Sequence, residues 1–166
     1  TRLQDIATNS GNASLINSEE GVLYAEISAF STTNASGNIS LSDGTGNNRI
    51  YIYYFVDNSI SVIHEMNDDG GFINNFTIAD ITLQNKIAVK WSNSNITIFI
   101  NGVEVLNETS GNFLANSLDM LNFSKPDGSV LFEGKTKALA VYKTALTDAN
   151  LRSLTYPPAV ATTFDL

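Results

Sequence analysis

The sequence has no cysteine, a single histidine and few charged residues, which make up 16% of its 166 positions. Without cysteine the chain has neither a disulfide framework nor thiol chemistry. A secreted eukaryotic domain of this kind would often carry a disulfide, so the absence favours a bacterial or viral origin. No apolar run reaches the length of a membrane span, and no signal peptide is visible. We therefore predict no membrane insertion, and we interpret the chain as a segment of a longer protein.

The charges that are present are mostly negative. The 17 acidic side chains outnumber the 9 basic ones and leave a net charge of −8. Nucleic-acid binding needs a basic surface, so nucleic acid is not an expected partner. The excess of negative charge fits a self-repelling domain and is compatible with a cation site. The apolar fraction of 43% is enough for one domain with a sizeable core.

Short β-strand patterns dominate the chain. Each is rich in β-branched and aromatic residues and is bounded by Gly, Asn, Asp or Ser. The predicted strands are Gly21–Phe30, Asn38–Asp43, Asn48–Val56, Ser59–Met66, Gly71–Ala79, Asn85–Ser92, Asn95–Gly102, Ser117–Phe123 and Val130–Tyr142. The Asn101-Gly102 turn leads sharply from one of them into Val103–Leu106. Many short strands at regular spacing indicate an all-β fold, a two-sheet antiparallel β-sandwich or jelly roll.

Alternation in two neighbouring strands predicts which side is buried. The residues expected to face the core are Ile87, Val89, Trp91, Ile96, Ile98 and Ile100. Lys90 and Thr97 lie between them in the alternation, so we expect both to face outward. The link Ser92–Asn95 predicts a tight hairpin between the two strands.

One short helix is predicted near the C-terminus. Thr147 occupies the position of an N-cap, and Asp148 follows where the helix dipole favours negative charge. The apolar residues that can pack this helix onto a sheet are Leu146, Leu151 and Leu154. A Pro-Pro pair then ends the pattern. We predict one domain over residues 1–156 and a linker, or the start of a following segment, over 157–166.

Two segments carry a resemblance to a known family. Asn85–Val105 resembles the signature hairpin of laminin-G-like, concanavalin A-like domains, with an apolar strand, a tight turn, a second strand and an Asn-Gly turn. Phe132–Leu154 is similar to the closing strand and helix of that family. The resemblance implies that the sandwich has the concanavalin A-like topology.

Three segments look like one branch of the family, the lectin-like modules in tail-fibre and other structural proteins of tailed bacteriophages. They are Asn17–Phe30, Ile39–Tyr54 and Gly134–Leu151. Related copies occur in large surface proteins of Bacteroidetes. The resemblance implies a non-catalytic lectin-like module of a phage tail appendage or a bacterial surface protein, located on the virion or outside the cell. We expect it to bind host-surface or environmental glycans, in many copies on a multimeric fibre with sibling chains.

Two alternatives stay open because this fold also hosts structural modules and glycanases. The first is a structural decoration or oligomerisation module of the virion without a sugar site. The second is a carbohydrate-binding module, or a degenerate domain, of a glycan-degrading enzyme. Glycoside hydrolysis needs two carboxyl groups about 5–10 Å apart. The Glu-x-Asp-x-Glu-like strand of the family's glucanases is absent here, so we predict no catalytic residues and no enzyme activity.

The strand Asn48–Phe55 holds the candidate binding residues. Arg49, Tyr51 and Tyr53 share one face of it, opposite a face with two isoleucines. If the isoleucine face is core, the tyrosines form an exposed stripe beside an arginine. Sugars stack their apolar faces on aromatic rings while polar side chains bind their hydroxyls. The alternative is that the tyrosines cover a second sheet or contact a neighbouring subunit.

An oxygen-rich loop holds the candidate metal ligands Glu65, Asp68 and Asp69. Clustered carboxylates can ligate Ca²⁺. Because this pattern matches no defined calcium loop, we favour an ordinary hairpin turn over a calcium site. The lone His64 lacks the partners of a catalytic triad or a metal hydrolase, so we interpret it as structural. Calcium is therefore the one cofactor that the sequence suggests, and no other is predicted.

Overall fold

The strands of the fold follow one another closely along the chain. In the computed structural model, which describes residues 11–33, 37–67 and 71–157, they are β1 (Glu20–Ala29), β2 (Asn38–Ser42), β3 (Asn48–Phe55), β4 (Ser59–Met66), β5 (Phe72–Thr77), β6 (Asn85–Ser92), β7 (Asn95–Ile100), β8 (Val103–Thr109), β9 (Met120–Asn122) and β10 (Gly134–Tyr142). One helix, α1 (Asp148–Thr155), follows. Residues 158–166, which make up most of the predicted linker, lie outside the described residues.

The strands form two five-stranded antiparallel sheets. Sheet I has the order β10-β1-β6-β7-β8, and sheet II has the order β5-β4-β3-β2-β9. Apolar residues from the inner faces of both sheets form one continuous core. The predicted all-β sandwich with one short C-terminal helix is thus confirmed.

The inner rows of β6 and β7 lie in this core as predicted. The six residues are 0–3% exposed: Ile87, Val89, Trp91, Ile96, Ile98 and Ile100. They pack against the inner row of β3 and its neighbours in sheet II. The strand alternation therefore identified the core side of both strands correctly.

The opposite face of sheet I, toward which Lys90 and Thr97 point as predicted, is only partly open to solvent. Helix α1 packs on this face, and Leu151 is buried there against Phe99 and Ala88. Thr97 is fully buried and donates its hydroxyl to Asn95 Oδ1 at 2.9 Å. Strand alternation reports which side a residue points to, but it does not report what later covers that side.

Lys90 lies on the same face and is half-buried. Its Nζ lies 2.5 Å from Asp148 Oδ1 in the first turn of α1. The helix begins as predicted, since the Thr147 hydroxyl accepts a hydrogen bond from the Asn150 backbone N–H at 3.2 Å. The cap satisfies one of the free N–H groups at the helix start.

The last strand begins later than predicted. It starts at Gly134, whereas the sequence pattern places its start at Val130. Val130 has a φ of 46°, in the left-handed region, which cannot continue a strand. Within the described part of the chain, no helix has the length and apolar content needed to cross a membrane.

Substitution of Leu151 tests whether the packing of α1 on sheet I contributes to the stability of the domain. Leu151→Ala should lower the free energy of unfolding by about 2–5 kcal/mol, because it leaves a cavity between the helix and sheet I. Asn150→Ala, on the exposed side of the same helix, should change it by about 0.5 kcal/mol or less. Urea denaturation followed by circular dichroism measures both. Equal effects of the two substitutions would show that the helix is not anchored at Leu151.

Candidate functional site

The outer face of sheet II is the large sheet face that α1 leaves uncovered. The strand registers align its outward residues in rows across the sheet. From one end to the other the rows are Ser42–Arg49–Glu65, Ser40–Tyr51–Ile63–Ile73, Asn38–Tyr53–Ser61–Asn75 and Phe55–Ser59–Thr77. We call this surface the tyrosine face.

The inner row of β3 determines which of its side chains reach the tyrosine face. Ile50, Ile52 and Tyr54 are 0–1% exposed and belong to the core. Because side chains alternate along a strand, Arg49 and Tyr53 point to the opposite side. The predicted binding residues therefore share one face, as the sequence indicated.

These residues also contact one another. The Arg49 guanidinium carbon lies 5.4 Å from the centre of the Tyr51 ring, within the range of a cation–π contact. The Tyr51 and Tyr53 rings are 5.7 Å apart, and Phe55 meets Tyr53 edge-on at 6.2 Å. The result is a stripe of three aromatic rings that ends at a cation.

The expectation that Tyr51 is exposed is wrong. Only 7% of Tyr51 is accessible, whereas Tyr53 is half-buried and Phe55 is 51% exposed. Burial raises the pKa of the Tyr51 phenol above its ordinary value, while the neighbouring Arg49 opposes this rise. Tyr53 and Phe55 are therefore the rings that a ligand can reach, and Tyr51 supports them.

Arg49 is held by an ion pair. Its Nη2 lies 2.6 Å from Glu65 Oε2, and the Glu65 side chain is only 9% exposed. Glu65, one of the predicted metal ligands, is thus engaged with a cation. The other two, Asp68 and Asp69, lie outside the described residues. Over residues 11–33, 37–67 and 71–157, no cluster of three or more potential metal-ligating side chains is present.

His64 points to the inner side of sheet II. It is 1% exposed, its ring stacks on Phe72 at 5.2 Å, and its Nε2 lies 3.2 Å from Glu108 Oε1. Glu108 belongs to β8 in sheet I, so this contact joins the two sheets. The geometry agrees with the structural interpretation of this histidine.

A cleft of about 240 Å³ opens on the tyrosine face. Its lining residues are Gly37, Asn38, Tyr51, Tyr53, Tyr54, Phe55, Lys125 and Val130. The last two come from the turn after β9, where the Gly128 N–H donates to the Lys125 carbonyl at 2.9 Å. The Asn38 amide donates to the Val130 carbonyl at 3.3 Å and ties this turn to β2.

Sequence reasoning missed the contribution of this turn. The segment Lys125–Ser129 contains the Pro-Asp-Gly pattern of a turn, so a turn at this position is predictable from the sequence. Its position over the end of β3 depends on chain packing and has no local signal. The missed residues are Asn38, Phe55, Lys125 and Val130.

Val130 carries backbone strain at the edge of the cleft. A φ of 46° is costly for a β-branched residue, typically about 1–3 kcal/mol. Such strain persists only where the surroundings enforce it, and it is concentrated at functional sites. The strained residue therefore adds weight to this cleft as the candidate site.

A second, larger cleft of about 390 Å³ lies at another place on the sandwich. Its lining residues include no aromatic ring: Ala13, Ile16, Asn17, Ser18, Glu19, Ala115, Asn116, Lys143 and Thr144. Its polar groups are used internally, since Asn17 donates to the Lys143 carbonyl and Ser18 accepts from the Leu118 N–H. We therefore take the smaller cleft as the candidate binding site, because it is lined by aromatic rings and the larger cleft is not.

Comparison with known proteins agrees with the fold. The profile of the concanavalin A-like lectin/glucanases superfamily matches residues 9–152. A search of curated proteins found no match. Solved structures are similar in fold at low sequence identity.

Three of these structures come from glycan-active enzymes. The carbohydrate-binding module CBM40 of the Ruminococcus gnavus IT-sialidase, bound to α2,3-sialyllactose, superposes with a TM-score of 0.70 at 16% identity, covering 93% of this chain and 96% of that one. The Streptococcus pneumoniae NanB sialidase superposes with a TM-score of 0.68 at 17% sequence identity, and the match covers 90% of this chain and 27% of the sialidase. Domain 4 of the Geobacillus stearothermophilus arabinanase AbnA, in complex with arabinotriose, superposes with a TM-score of 0.66 at 15% sequence identity. The match covers 87% of this chain and 69% of that one.

The Arg49–Glu65 pair should stabilise the tyrosine face. Arg49→Met leaves the nearly buried Glu65 carboxylate without its partner and should cost about 2–3 kcal/mol, whereas the Arg49→Met/Glu65→Leu double variant should lose less than the sum of the single variants. The expected coupling in a urea double-mutant cycle is about 1–2 kcal/mol.

The matched control is the Lys90–Asp148 pair, in which Asp148 is 53% exposed. Its coupling should be below about 1 kcal/mol. Additive effects at Arg49 and Glu65 would contradict a stabilising role for the buried pair.

Proposed function

We propose that this chain, which belongs to the concanavalin A-like lectin/glucanases superfamily, is a non-catalytic module that binds glycans in the cleft of its tyrosine face. The observation that carries the proposal is the arrangement of Tyr53. Its half-buried ring lies beside the exposed Phe55 ring, in a row that ends at the exposed amide side chain of Asn75. Sugar recognition needs this combination of an apolar platform and polar groups.

The proposed mode of binding follows from the row Asn38–Tyr53–Ser61–Asn75. A sugar ring stacks its apolar face on Tyr53 and Phe55. The Ser61 hydroxyl donates a hydrogen bond to Asn75 Oδ1, and the Asn75 side chain is exposed. Its amide nitrogen is then available to donate to sugar hydroxyls at the edge of the stacked ring.

The lack of a carboxylate pair supports a binding role over a hydrolytic one. Among the aligned outward residues of β2 to β5, the tyrosine face has one carboxylate, Glu65, and it is paired with Arg49. Hydrolysis of a glycosidic bond ordinarily requires two carboxyl groups, one of them free to move a proton. The similar module of the sialidase and the arabinanase domain were both solved with an oligosaccharide, which adds support from the fold.

The setting we propose is an appendage of a phage tail or a large bacterial surface protein. The tyrosine face is shallow, so a single site would bind weakly. Many copies on one fibre would raise the overall affinity by increasing the effective concentration of sites. This setting rests on the sequence resemblance.

A structural role for the same face is the second candidate. Phe55 is 51% exposed and Ile73 is 62% exposed on the tyrosine face, which gives it apolar area that a protein partner could cover. A decoration module would use this area against sibling chains. Ultracentrifugation would then detect self-association that Ile73→Asp removes, whereas a monomer favours the glycan site.

Tyr53→Ala should abolish the stacking platform and lower glycan affinity at least about tenfold. Tyr156→Ala is the matched control, because the Tyr156 side chain is 63% exposed at the end of α1, where the Tyr156 carbonyl accepts a hydrogen bond from Lys86 of sheet I. A glycan array identifies the ligand, and titration calorimetry measures its affinity for the three proteins. Equal binding by all three would refute this site.

The same ligands test the absence of catalysis. Incubation of the protein with each bound polysaccharide should release no reducing ends. Release that depends on Glu65 would instead assign the chain to the glycan-degrading enzymes.

A further inference from the structure

Lys125 is a half-buried cation that lacks a counter-ion among the residues that the structure describes. Six other basic side chains have a partner: Arg49 (Glu65), Lys86 (Tyr156 carbonyl), Lys90 (Asp148), Lys137 (Glu26), Lys143 (Ser14 carbonyl) and Arg152 (Gly102 carbonyl). Lys135 has none and is exposed on β10. Lys125 thus combines partial burial with an unpaired charge.

The cleft around Lys125 contains no carboxylate among its lining residues. The acidic side chain nearest in sequence, Asp127, interacts through space with Lys125 and Tyr51 but forms its hydrogen bonds within its own turn: its Oδ1 accepts from the Ser129 N–H at 2.9 Å and from the Ser129 hydroxyl at 2.6 Å. The hydrogen bond from the Ser129 hydroxyl has the largest effect and lowers the pKa of the Asp127 carboxyl. The hydrogen bond from the Ser129 N–H lowers it further, and Lys125 has a smaller effect in the same direction. Asp127 therefore serves the turn and influences Lys125 only through space.

Removing part of an ammonium's hydration without a paired anion is unfavourable. In a chain with a net charge of −8, a cation at an aromatic cleft without acidic lining is also a local exception. An anionic group on the ligand would compensate the lost hydration of the ammonium and would match the positive charge of the cleft. An ammonium is a compact point charge, so it suits a carboxylate or a sulfate about equally well.

We propose that Lys125 recognises an acidic group on the glycan, so that the tyrosine face prefers sugars that carry a carboxylate or a sulfate beside the ring stacked on Tyr53. This inference rests on the proposed function, because it names the class of glycan for the same cleft. Tyr53 and Phe55 supply the stacking surface, and Lys125 supplies the selection by charge.

The test compares acidic glycans with neutral counterparts of the same shape. Calorimetry uses oligogalacturonate against its methyl ester, sialyllactose against its methyl ester, and sulfated against desulfated κ-carrageenan oligosaccharides, whose desulfated form carries no charge. The first two pairs report a carboxylate and the third reports a sulfate. We expect the wild-type protein to bind at least one acidic member about tenfold more tightly than its neutral counterpart, with a preference that weakens as salt is added.

Lys125→Gln should remove that preference, so that the acidic member binds no more tightly than its neutral counterpart. Lys125→Arg should retain the preference because it keeps the charge. Lys135→Gln, which removes an exposed lysine outside the cleft, is the matched control. Circular dichroism and thermal unfolding verify that each variant is folded.

The outcomes separate this inference from the proposed function. If acidic and neutral members bind equally and Lys125→Gln has no effect, while Tyr53→Ala still abolishes binding, the inference is wrong and the glycan site stands. If Lys135→Gln weakens acidic binding as much as Lys125→Gln, general charge and not the cleft is responsible, which also overturns it. If no glycan binds the wild-type protein, the proposed function falls and this inference falls with it.

Discussion

Burial of Ile50, Ile52 and Tyr54 between the two sheets is the interaction on which the candidate site depends. Successive side chains of a strand point to opposite sides, so burial of this row directs Arg49, Tyr51 and Tyr53 to the outer face. A shift of the pairing by one residue would exchange the two rows and place an arginine in the core. The cost of that exchange holds the tyrosine face in register with Ser61 and Asn75 on the neighbouring strands.

The two outer faces of the sandwich differ in how far they are covered, because α1 packs on sheet I and not on sheet II. Leu151 of α1 packs with Val22, Ala88 and Phe99, which makes the outer face of sheet I a second small core. On the corresponding face of sheet II, the turn after β9 lies over one end. This asymmetry is what leaves Tyr53 and Phe55 accessible while Phe99, on the other sheet, is fully buried.

The charges on the tyrosine face have distinct tasks. Arg49, paired with Glu65, packs over the Tyr51 ring at one end of the aromatic stripe. Lys125 faces the same cleft without a partner among the described residues. In physical terms, the first cation is part of the support of the site, and the second is available to a ligand. Their identical charge in the sequence conceals this difference.

What the sequence by itself determined is the local pattern: most of the strands, the capped helix, and the rows of β3, β6 and β7. These features depend on alternation, turn residues and capping, which act between near neighbours in the chain. Tertiary packing alone decided that Thr97 and Tyr51 are buried, that Val130 leaves the strand region, and that Lys125 joins the cleft. Each of these depends on segments far apart in sequence, α1 over sheet I or the turn after β9 over β3. Strand periodicity specifies the side to which a residue points, but only the folded chain specifies what covers that side.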